Sequence, residues 1–480
     1  MGLLNRMKTM FRPEATPSPV PRVSARYDSG STGSSRTRGW NPSDLGPVAA
    51  SATAPTIRAR ARDAVRNDSL ARAVVETWVD DLCGWGYTPR STARNAEDRD
   101  RVHSLWESWA ETAGASGEDF GALCATAVRE VLTSGECFIR LRSRRPEDGL
   151  PVPLALELVD PARVPHDLTQ TIEGGDIAQG VERDLLGRVV AYHVLDHVPG
   201  EPVPAGASAV PRRVPASAML HVYDAERPGQ VRGVSALATA LPRLRMLDAW
   251  GDAVLLRQQI ANLFVGSLTN ATAADADVSP LTGLAPSTTQ GGRAVVDLVP
   301  GILQELAPGE ELKFSDPPDP PSSQTFATEQ ARLACGAAGV PLQVVTGEWG
   351  ATNDRLARVV LNQWRRRVER FRWSVVVPRL LRPVWSTWAT LAGPRLLLGA
   401  EDSGATWRAH AWPYVHPVQD VAAQLQAVRG GLTSLSAVIA EGSGEDFETV
   451  AAQIAADNAL ADRLGLKLDS DSRQPKGAAK

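Results

Sequence analysis

Cysteine is scarce in this chain of 480 residues, and its four cysteines form no closely spaced pair. Many metal and redox sites place two thiols within a few residues of each other, so this spacing excludes the common C-x-x-C motifs. Three of the four stand in predicted helices or strands among apolar neighbours. We therefore expect buried, reduced thiols at Cys83, Cys124, Cys137 and Cys335.

Long uninterrupted apolar runs are also missing. The most apolar stretch, residues 373–400, is broken by three arginines and three prolines, which excludes a membrane span. The first residues, MGLLNRMKTMF, are too short and polar for a signal peptide, and Arg6 occupies the Ser/Thr position of a myristoylation motif. These features predict a cytosolic protein with no membrane partner.

Recognisable catalytic motifs are absent from the sequence. There is no G-x-x-x-x-G-K-[ST], so a P-loop motor is excluded. Ser235 lacks the second glycine of a nucleophile elbow and is better explained as a helix N-cap. His193 and His197 lack the glutamate of the H-E-x-x-H motif and are predicted as strand residues at a solvent edge. The prolines around Asp316 and Asp319 favour a rigid spacer over an acid/base pair. We predict no catalytic residue, metal site or cofactor.

The clearest pattern is a helix, a glycine-rich loop and a second, long helix between residues 316 and 373. Four prolines prevent an earlier start, and Ser322 or Ser323 can cap the first helix. Apolar residues recur at helical spacing until Gly-Val-Pro at 339–341 ends it. The loop is predicted from Val344 to Asn353. The second helix has one apolar stripe, formed by Leu356, Val360, Trp364, Val368, Phe371 and Val375.

This region resembles the lambda-type phage portal proteins, which form the ring through which DNA enters and leaves a viral head. The family pattern is an apolar helix, a G-V-P turn, a T-G-x-x-G/S-x-x-N loop and a helix bearing R-R-R-V-E. This chain has Gly339-Val340-Pro341, Thr346-Gly347, Asn353 and Arg365-Arg366-Arg367-Val368-Glu369. Similar segments lie at 58–86, 181–192, 214–268 and 412–468, so the resemblance covers most of the chain after residue 57.

The resemblance implies an α+β, mainly helical portal fold with wing, stem, clip and crown regions that assembles into a ring. Applied to this chain, it implies a flexible arm (1–57), a wing (58–234), a stem helix (235–265), a clip (266–321), a second stem helix (322–343), a channel loop (344–353), a long helix with a wing return (354–417), crown helices (418–468) and a disordered tail (469–480).

The residue patterns independently give a mixed α+β layout. Helical stripes fill 55–133, and a helix N-cap is predicted at 67–69. Strands are predicted at 137–141, 154–159 and 219–223, and a hairpin pairs 178–183 with 189–195. A long helix is predicted over 235–264. The remaining predicted elements are short strands at 294–298 and 312–314, a strand-like 406–412, and helices at 418–428, 434–441 and 446–464.

The resemblance also assigns a DNA-channel loop and a basic helix. In the loop, we expect the glycines to permit movement, Glu348 to repel phosphate, and Trp349 to lie against the duplex or to pack on a neighbouring subunit. A plain connection between two helices is the alternative. The loop residues are Thr346, Gly347, Glu348, Trp349, Gly350 and Asn353. The basic helix carries Arg355, Arg358, Arg365, Arg366, Arg367, Arg370 and Arg372, which we expect to form intersubunit ion pairs more readily than a clamp on DNA, since they lie on several sides of the helix.

The charge balance is compatible with this reading. Lys and Arg number 51 against 55 Asp and Glu, a net charge of -4, which argues against a tight, static nucleic-acid binder.

By resemblance the partners are further copies of the chain in a dodecameric ring, transiently bound double-stranded DNA, the terminase large subunit, major capsid and scaffold proteins, and head-tail connector proteins. The expected location is the capsid portal vertex of the virion, and the host cytoplasm during assembly. The alternatives are another ring-forming head-tail connector, and a soluble hydrolase or nuclease whose carboxylates meet only in the fold.

Overall fold

The computed structural model describes residues 45–203, 206, 208–263, 289–290, 293–294, 323–350, 352–396, 403–443, 447–466 and 473. Contacts divide the chain after Gly46, and the architecture below is that of the unit Pro47–Lys480. Nearly all of the expected clip, 266–321, lies outside the described residues, as do Asp316, Asp319 and the predicted cap Ser322. Within the expected clip, Thr289–Gln290 and Arg293–Ala294 form a short antiparallel pair, β10 and β11.

The N-terminal half opens with five helices. They are α1 (Pro47–Ala50), α2 (Ala54–Asn67), α3 (Ser69–Cys83), α4 (Ala96–Ala110) and α5 (Phe120–Ser134). Helix α3 begins as the sequence predicts, because the Asp68 carboxylate accepts from the N–H groups of Leu70 at 2.8 Å and Ala71 at 3.0 Å. It ends at Gly84, whose φ of +49° suits glycine.

The structure moves the end of the predicted arm from residue 57 to residue 46. Residues 47–57 are helical, and Ser51 and Ala54 are buried. The Ser51 hydroxyl donates to the carbonyl of Val48 and to Oε1 of Gln179, both at 3.0 Å. The composition alone suggests that this segment cannot offset the entropy lost on ordering. Burial and hydrogen bonds to distant residues provide that compensation.

Two antiparallel sheets follow. The first has the order β3-β2-β9, with β2 at Glu136–Ser143, β3 at Leu154–Val159 and β9 at Met219–Tyr223, so the three predicted strands are confirmed. The second is a meander of β4 (Gln170–Ile172), β5 (Gly175–Ala178), β6 (Val181–Asp184), β7 (Val189–Val194) and β8 (Arg212–Pro215).

The predicted hairpin is present as β6 and β7, with two corrections. Ala178 belongs to β5, because Gln179 (φ +53°) and Gly180 (φ +80°) turn the chain before β6 begins. His193 lies on β7, an interior strand of the meander, and not at a sheet edge. Its Nε2 lies 3.0 Å from the Glu182 carboxylate, which gives the histidine a polar partner within the sheet.

One strand pair joins distant parts of the chain. Strand β1 (Thr88–Ser91), which the sequence analysis missed, pairs antiparallel with β12 (Ala405–Arg408). The predicted strand over 406–412 therefore ends at Arg408. This pair ties the N-terminal helices to the C-terminal half of the protein.

The main core lies between the N-terminal helices and a long helical rod in the C-terminal half. The rod consists of α9 (Asp354–Phe371), a π-helix (Arg372–Leu381) and α10 (Arg382–Leu396). Trp106 of α4 is the centre of an aromatic cluster, with ring contacts at 4.9–5.7 Å to Trp109, Phe120, Trp385, Trp388 and Trp407. A smaller core around Phe138 lies between the two sheets.

Two helices leave this body together. They are α6 (Leu241–Leu263) and α7 (Ser323–Ala337), which pack against each other, with the rings of Trp250 and Phe326 6.1 Å apart. Helix α6 starts six residues later than the predicted Ser235, because residues 235–240 form successive turns. Ser235 caps the first turn by accepting from the N–H of Leu237 at 3.1 Å, and its hydroxyl donates to the carbonyl of Leu132.

The C-terminal helices match their predicted positions. They are α11 (Pro417–Arg429), α12 (Leu435–Ser443) and α13 (Phe447–Leu464). In their described residues, Ala461 alone is buried. The four cysteines are free and buried, as predicted, and burial raises the pKa of the Cys83 thiol to about 12. Of the helices in the described residues, none combines the length and apolar character needed to span a bilayer.

Candidate functional site

The candidate site begins where α7 ends. Gly339 adopts a φ of +83°, which terminates the helix at the predicted Gly-Val-Pro sequence. The N–H of Val340 donates to the carbonyl of Cys335 at 2.9 Å, and the indole of Trp78 on α3 donates to the carbonyl of Ala338 at 3.2 Å. The end of α7 is therefore fixed to the protein body.

The predicted loop from Val344 is shorter in the structure. Helix α8 occupies Leu342–Thr346, and Gly347 ends it in the left-handed conformation with φ +68°. The Thr346 hydroxyl donates to the carbonyl of Leu342 at 3.0 Å and accepts from the N–H of Glu348 at 3.3 Å. Thr346 thus belongs to the base of the loop, whose described residues are 347–350, 352 and 353.

The loop residues differ in their surroundings. Glu348 is exposed and Trp349 is half-buried, while a Cβ added to Gly347 or Gly350 would meet no atom within 4 Å. Asn353 has a structural role, because its side-chain oxygen accepts from the N–H of Leu356 at 2.9 Å and caps α9. The structure thus brings the predicted residues into one exposed turn, with Thr346 and Asn353 as its two ends.

Helix α9 is anchored on α3 by its apolar stripe. The rings of Trp364 and Trp78 meet edge to face with centroids 4.5 Å apart, and the Trp364 indole donates to Asp81 at 2.6 Å. Val368 and Phe371 are buried beside them. Leu356 is the exception to the predicted stripe, since 52% of it is exposed.

The predicted basic helix contains three kinds of arginine. Arg358 and Arg365 face a cleft of about 1130 Å³ between α9 and residues 409–424, which we term the C-terminal segment. The Arg358 guanidinium donates to Gln419 at 3.3 Å, and the Arg365 guanidinium donates to the carbonyl of Pro413 at 2.8 Å. These two therefore hold the C-terminal segment against α9.

Arg372 is the second kind and is a correction to the predicted set. It is buried, forms an ion pair with Glu369, and donates to the carbonyls of Asp81 at 2.8 Å and Leu82 at 3.2 Å. These carbonyls lie at the C-terminal end of α3, where a cation is favoured. Arg372 is therefore buried and paired within its own chain, unlike the exposed arginines of the predicted set.

The remaining arginines lie on the exposed side of α9, which we term the outer face. It contains Arg355, Arg366, Arg367 and Arg370, together with Leu356 and Val359, both about half exposed. Among the described residues, Asp224 lies 3.4 Å from Arg370, and no carboxylate lies within ion-pair distance of the other three arginines.

A buried charged cluster lies where β2 meets β9 and the segment that leads into α6, and it was not predicted from the sequence. Glu136 bonds to the guanidinium of Arg232, to Nε2 of His221 at 2.9 Å and to the N–H of Gly233 at 3.0 Å. Burial alone would raise the pKa of the Glu136 carboxyl, but the charge of Arg232 and the bond to His221 outweigh it and lower that pKa well below its ordinary value. In the sequence, the signal for this cluster is a charged residue among strand residues.

Comparison with known proteins gives concordant results. Residues 33–372 match the family model described as phage portal protein, lambda family. The portal protein of Escherichia phage N15 is 25% identical over 379 residues, which cover 71% of this chain and 70% of that protein.

The solved structures that this chain matches include chains of gene transfer agent particles. The neck of the native particle, computed with C12 symmetry, has a TM-score of 0.40 at 15% identity and covers 81% of this chain and 92% of that chain. The neck of the empty particle, computed with C6 symmetry, has a TM-score of 0.44 at 15% identity and covers 79% of this chain and 92% of that chain.

Proposed function

This chain belongs to the lambda family of phage portal proteins, and from that premise we propose that its copies close into a ring around a channel for double-stranded DNA. A head-to-tail interface between identical copies gives a closed ring when its rotation closes. The DNA would pass through the central hole during packaging and ejection. The proposed contact with DNA is transient and independent of base sequence.

The observation that carries the proposal is the exposure of the α6–α7 pair. The two helices run antiparallel, since Thr239 contacts Ala337 and Arg243 donates to Gln330 at 2.8 Å. From Arg245 to Gln259 no side chain of α6 is buried. Exposed apolar residues on the pair include Met246, Leu255, Leu256, Phe326 and Leu333. Helices with so much uncovered apolar surface favour association with further copies, so we propose this pair as the stem.

We propose the turn from Gly347 to Asn353 as the channel loop. Its support is rigid, because α8 and α9 flank it and Trp364 fixes α9 to α3. The exposed Glu348 carboxylate would repel phosphates and keep the duplex free to slide, whereas a basic side chain would bind them. Trp349, half-buried at the turn, would contact the duplex or the next subunit.

The test replaces Glu348 and Trp349 by glycine together. We expect rings and proheads to form normally, while DNA packaging or retention falls. A matched control places Glu173→Gly and Leu186→Gly on exposed turns of the five-stranded sheet, where packaging should be unchanged. Normal packaging by the Glu348/Trp349 variant would remove the loop from the channel.

We further propose that the chain is structural and not catalytic. The family is one of structural proteins, and particle size separates it from a soluble enzyme. A ring of twelve chains of 51.3 kDa would total about 616 kDa, and negative-stain images would show a central hole. A monomer under every condition, including with scaffold and shell proteins, would contradict the ring. A ring-forming head-tail connector is the remaining alternative, and failure of the rings to bind terminase would favour it.

The other regions are proposed from family membership. We propose the segment 266–321 as the clip that docks the terminase large subunit and later the head-tail connector, and α11–α13 as the crown that faces the head interior. The ring would occupy one vertex of the capsid, in contact with major capsid and scaffold proteins, after assembly in the host cytoplasm.

A further inference from the structure

Trp85 projects from the protein on a corner made by two glycines. It follows α3, and 87% of the residue is exposed. Gly84 (φ +49°) and Gly86 (φ +116°) both have positive φ. A Cβ on Gly84 would lie 2.5 Å from Nδ1 of His410, so the corner is closely confined there. An exposed tryptophan on a confined corner is typical of the residues that anchor protein interfaces.

An acidic groove of about 380 Å³ lies beside this indole, between the corner and α4 and α5. Glu107, Glu111 and Asp119 line it, and all three are exposed. No Lys or Arg lines the groove, and none in the described part of the chain lies within ion-pair distance of these carboxylates. We term this surface, with Trp85, the acidic groove. Asp119 caps α5 by accepting from the N–H groups of Gly121 at 2.7 Å and Ala122 at 3.1 Å. The acidic groove thus places the apolar Trp85 beside the carboxylates of Glu107 and Glu111, which have no cationic partner among the described residues.

The outer face of α9 has the complementary composition. Arg355, Arg366 and Arg367 lack a carboxylate within ion-pair distance in the described residues, and Arg366 and Arg370 are spaced i, i+4, where like charges destabilise a helix. Val359 and Leu356, exposed by 51% and 52%, form an apolar patch among them. This face has positive charge around an apolar centre.

We propose that the acidic groove of one copy binds the outer face of α9 of the next copy in the ring. Trp85 packs on Val359 and Leu356, and the carboxylates of Glu107 and Glu111 face the guanidinium groups of Arg355 and Arg366. The proposal rests on the ring put forward above and identifies residues of its interface. Because the two surfaces differ, the contact is head to tail, which is the kind that closes a ring.

The positive charge of the outer face would also attract DNA, but its apolar patch favours a protein as the binding partner. Phosphates would neutralise the arginines and leave Val359 and Leu356 uncovered, since a DNA backbone offers them no apolar surface. An indole covers both residues, and the acidic groove adds the matching charge. A second copy of the chain therefore accounts for the charged and the apolar parts of both surfaces.

Cysteine cross-linking tests the contact directly. Trp85→Cys and Val359→Cys are made in separate chains, which are coexpressed and oxidised. The four native cysteines are buried and give little background. We expect a covalent dimer of twice 51.3 kDa from the mixture, and none from either variant alone or from Val359→Cys with the control Leu186→Cys. Assembled rings that give no such dimer would overturn the proposal.

Charge reversal gives a second test. Glu107→Arg with Glu111→Arg, and separately Arg355→Glu with Arg366→Glu, should each lower the fraction of chains in rings by about tenfold or more. Combining all four substitutions should restore rings, because opposite charges face each other again. Circular dichroism identifies any variant that fails to fold. For such a variant, the cysteine cross-link decides whether the two surfaces meet.

The outcomes separate this inference from the proposed function. If the wild-type chain forms no ring, the proposed function fails first. If wild-type rings form and both charge-reversal variants assemble as well as the wild type, the interface assignment fails alone. Normal rings from Arg355→Glu with Arg366→Glu, combined with poor DNA packaging, would assign the outer face to DNA and overturn the inference.

Discussion

Glu136 and Arg232 form an ion pair that is wholly buried. Arg232 Nη2 lies 2.6 Å from Oε1 of Glu136, and the side chains are 0% and 2% exposed. The guanidinium also donates to the carbonyls of Gln179 at 2.6 Å, and of Pro161 and Val164 at 3.2 Å. One side chain thus joins both sheets to the turns that lead into α6, and it sets the point from which the proposed stem leaves the body.

Removing one partner of this pair should be costly. Arg232→Met leaves the buried Glu136 carboxylate without its guanidinium partner, with only the bonds to His221 and to the N–H of Gly233 remaining. We expect the free energy of unfolding to fall by about 3–5 kcal/mol. The double variant Arg232→Met with Glu136→Gln removes both charges and should recover part of that loss. Urea denaturation of each variant in the same oligomeric state provides the measurement. An equal loss in the single and double variants would contradict the account.

The glycines next to this pair should not tolerate a side chain. A Cβ on Gly233 would collide with the backbone oxygen of Gly135 and lie 2.9 Å from Cβ of Tyr223. Gly233→Ala should therefore lower the thermal midpoint, because backbone must move. Gly251→Ala in α6, where a Cβ meets no atom within 4 Å, is the control and should be neutral or stabilising by up to about 1 kcal/mol. Equal midpoints for the two variants would argue against the clash.

His166 predicts a loss of stability in acid. Burial, together with the nearby charge of Arg232, lowers the pKa of His166 to about 4 from an ordinary 6.5. As the pH falls below 6.5, the unfolded chain binds this proton before the folded one, so the free energy of unfolding decreases between pH 6.5 and about 4. Its Nε2 lies 2.8 Å from the Ser51 carbonyl, a bond that His166→Gln can keep. That variant should show a shallower slope in denaturation midpoints measured from pH 7 to pH 4.

Part of this slope should remain in the variant. Burial also lowers the pKa of His221 and of His410, so both contribute in the same direction. An unchanged slope in His166→Gln would show that His166 does not contribute.

Substitution of Trp364 should lower the free energy of unfolding by more than the loss of its apolar packing alone. Trp364→Phe keeps an aromatic ring against Trp78 but removes the indole N–H that donates to Asp81 at 2.6 Å. We expect a loss of about 1–3 kcal/mol, since the half-buried carboxylate loses a partner. Asp81→Asn in the Trp364→Phe background should restore some stability by removing the charge. Chemical denaturation of the four combinations forms a double-mutant cycle, and additive losses would exclude the coupling.

Local signals accounted for most helices and strands. Asp68 caps α3 because a short carboxylate before an apolar stripe satisfies free N–H groups, and Gly339 ends α7 because its φ is positive. Strands β2, β3 and β9 alternate or run apolar in the expected way. Such features depend on neighbours within a few residues, so the sequence reveals them.

The missed features depend on residues far apart in sequence. Strand β1 has weak strand propensity and forms because Ala405–Arg408 pairs with it. Residues 47–57 fold because Gln179 and His166 meet Ser51. The sequence does not distinguish Arg372 from the arginines before it. Its burial depends on the C-terminal end of α3, whose carbonyl at Asp81 accepts from the guanidinium. At the candidate loop, the motif located the turn between the two helices, but it did not reveal the short helix α8 at the base of the turn.

The π-helix from Arg372 to Leu381 has a consequence for how the chain accommodates changes in length. Its wider turns hold more residues per hydrogen-bonded ring than an α-helix does. Deleting one residue there would tighten a turn towards ordinary α geometry and leave α9 and α10 in phase. The same deletion inside α9 would rotate everything beyond it by about 100° and take Phe371 out of the core. Natural relatives that differ by one residue in this rod should therefore carry the difference in the widened stretch.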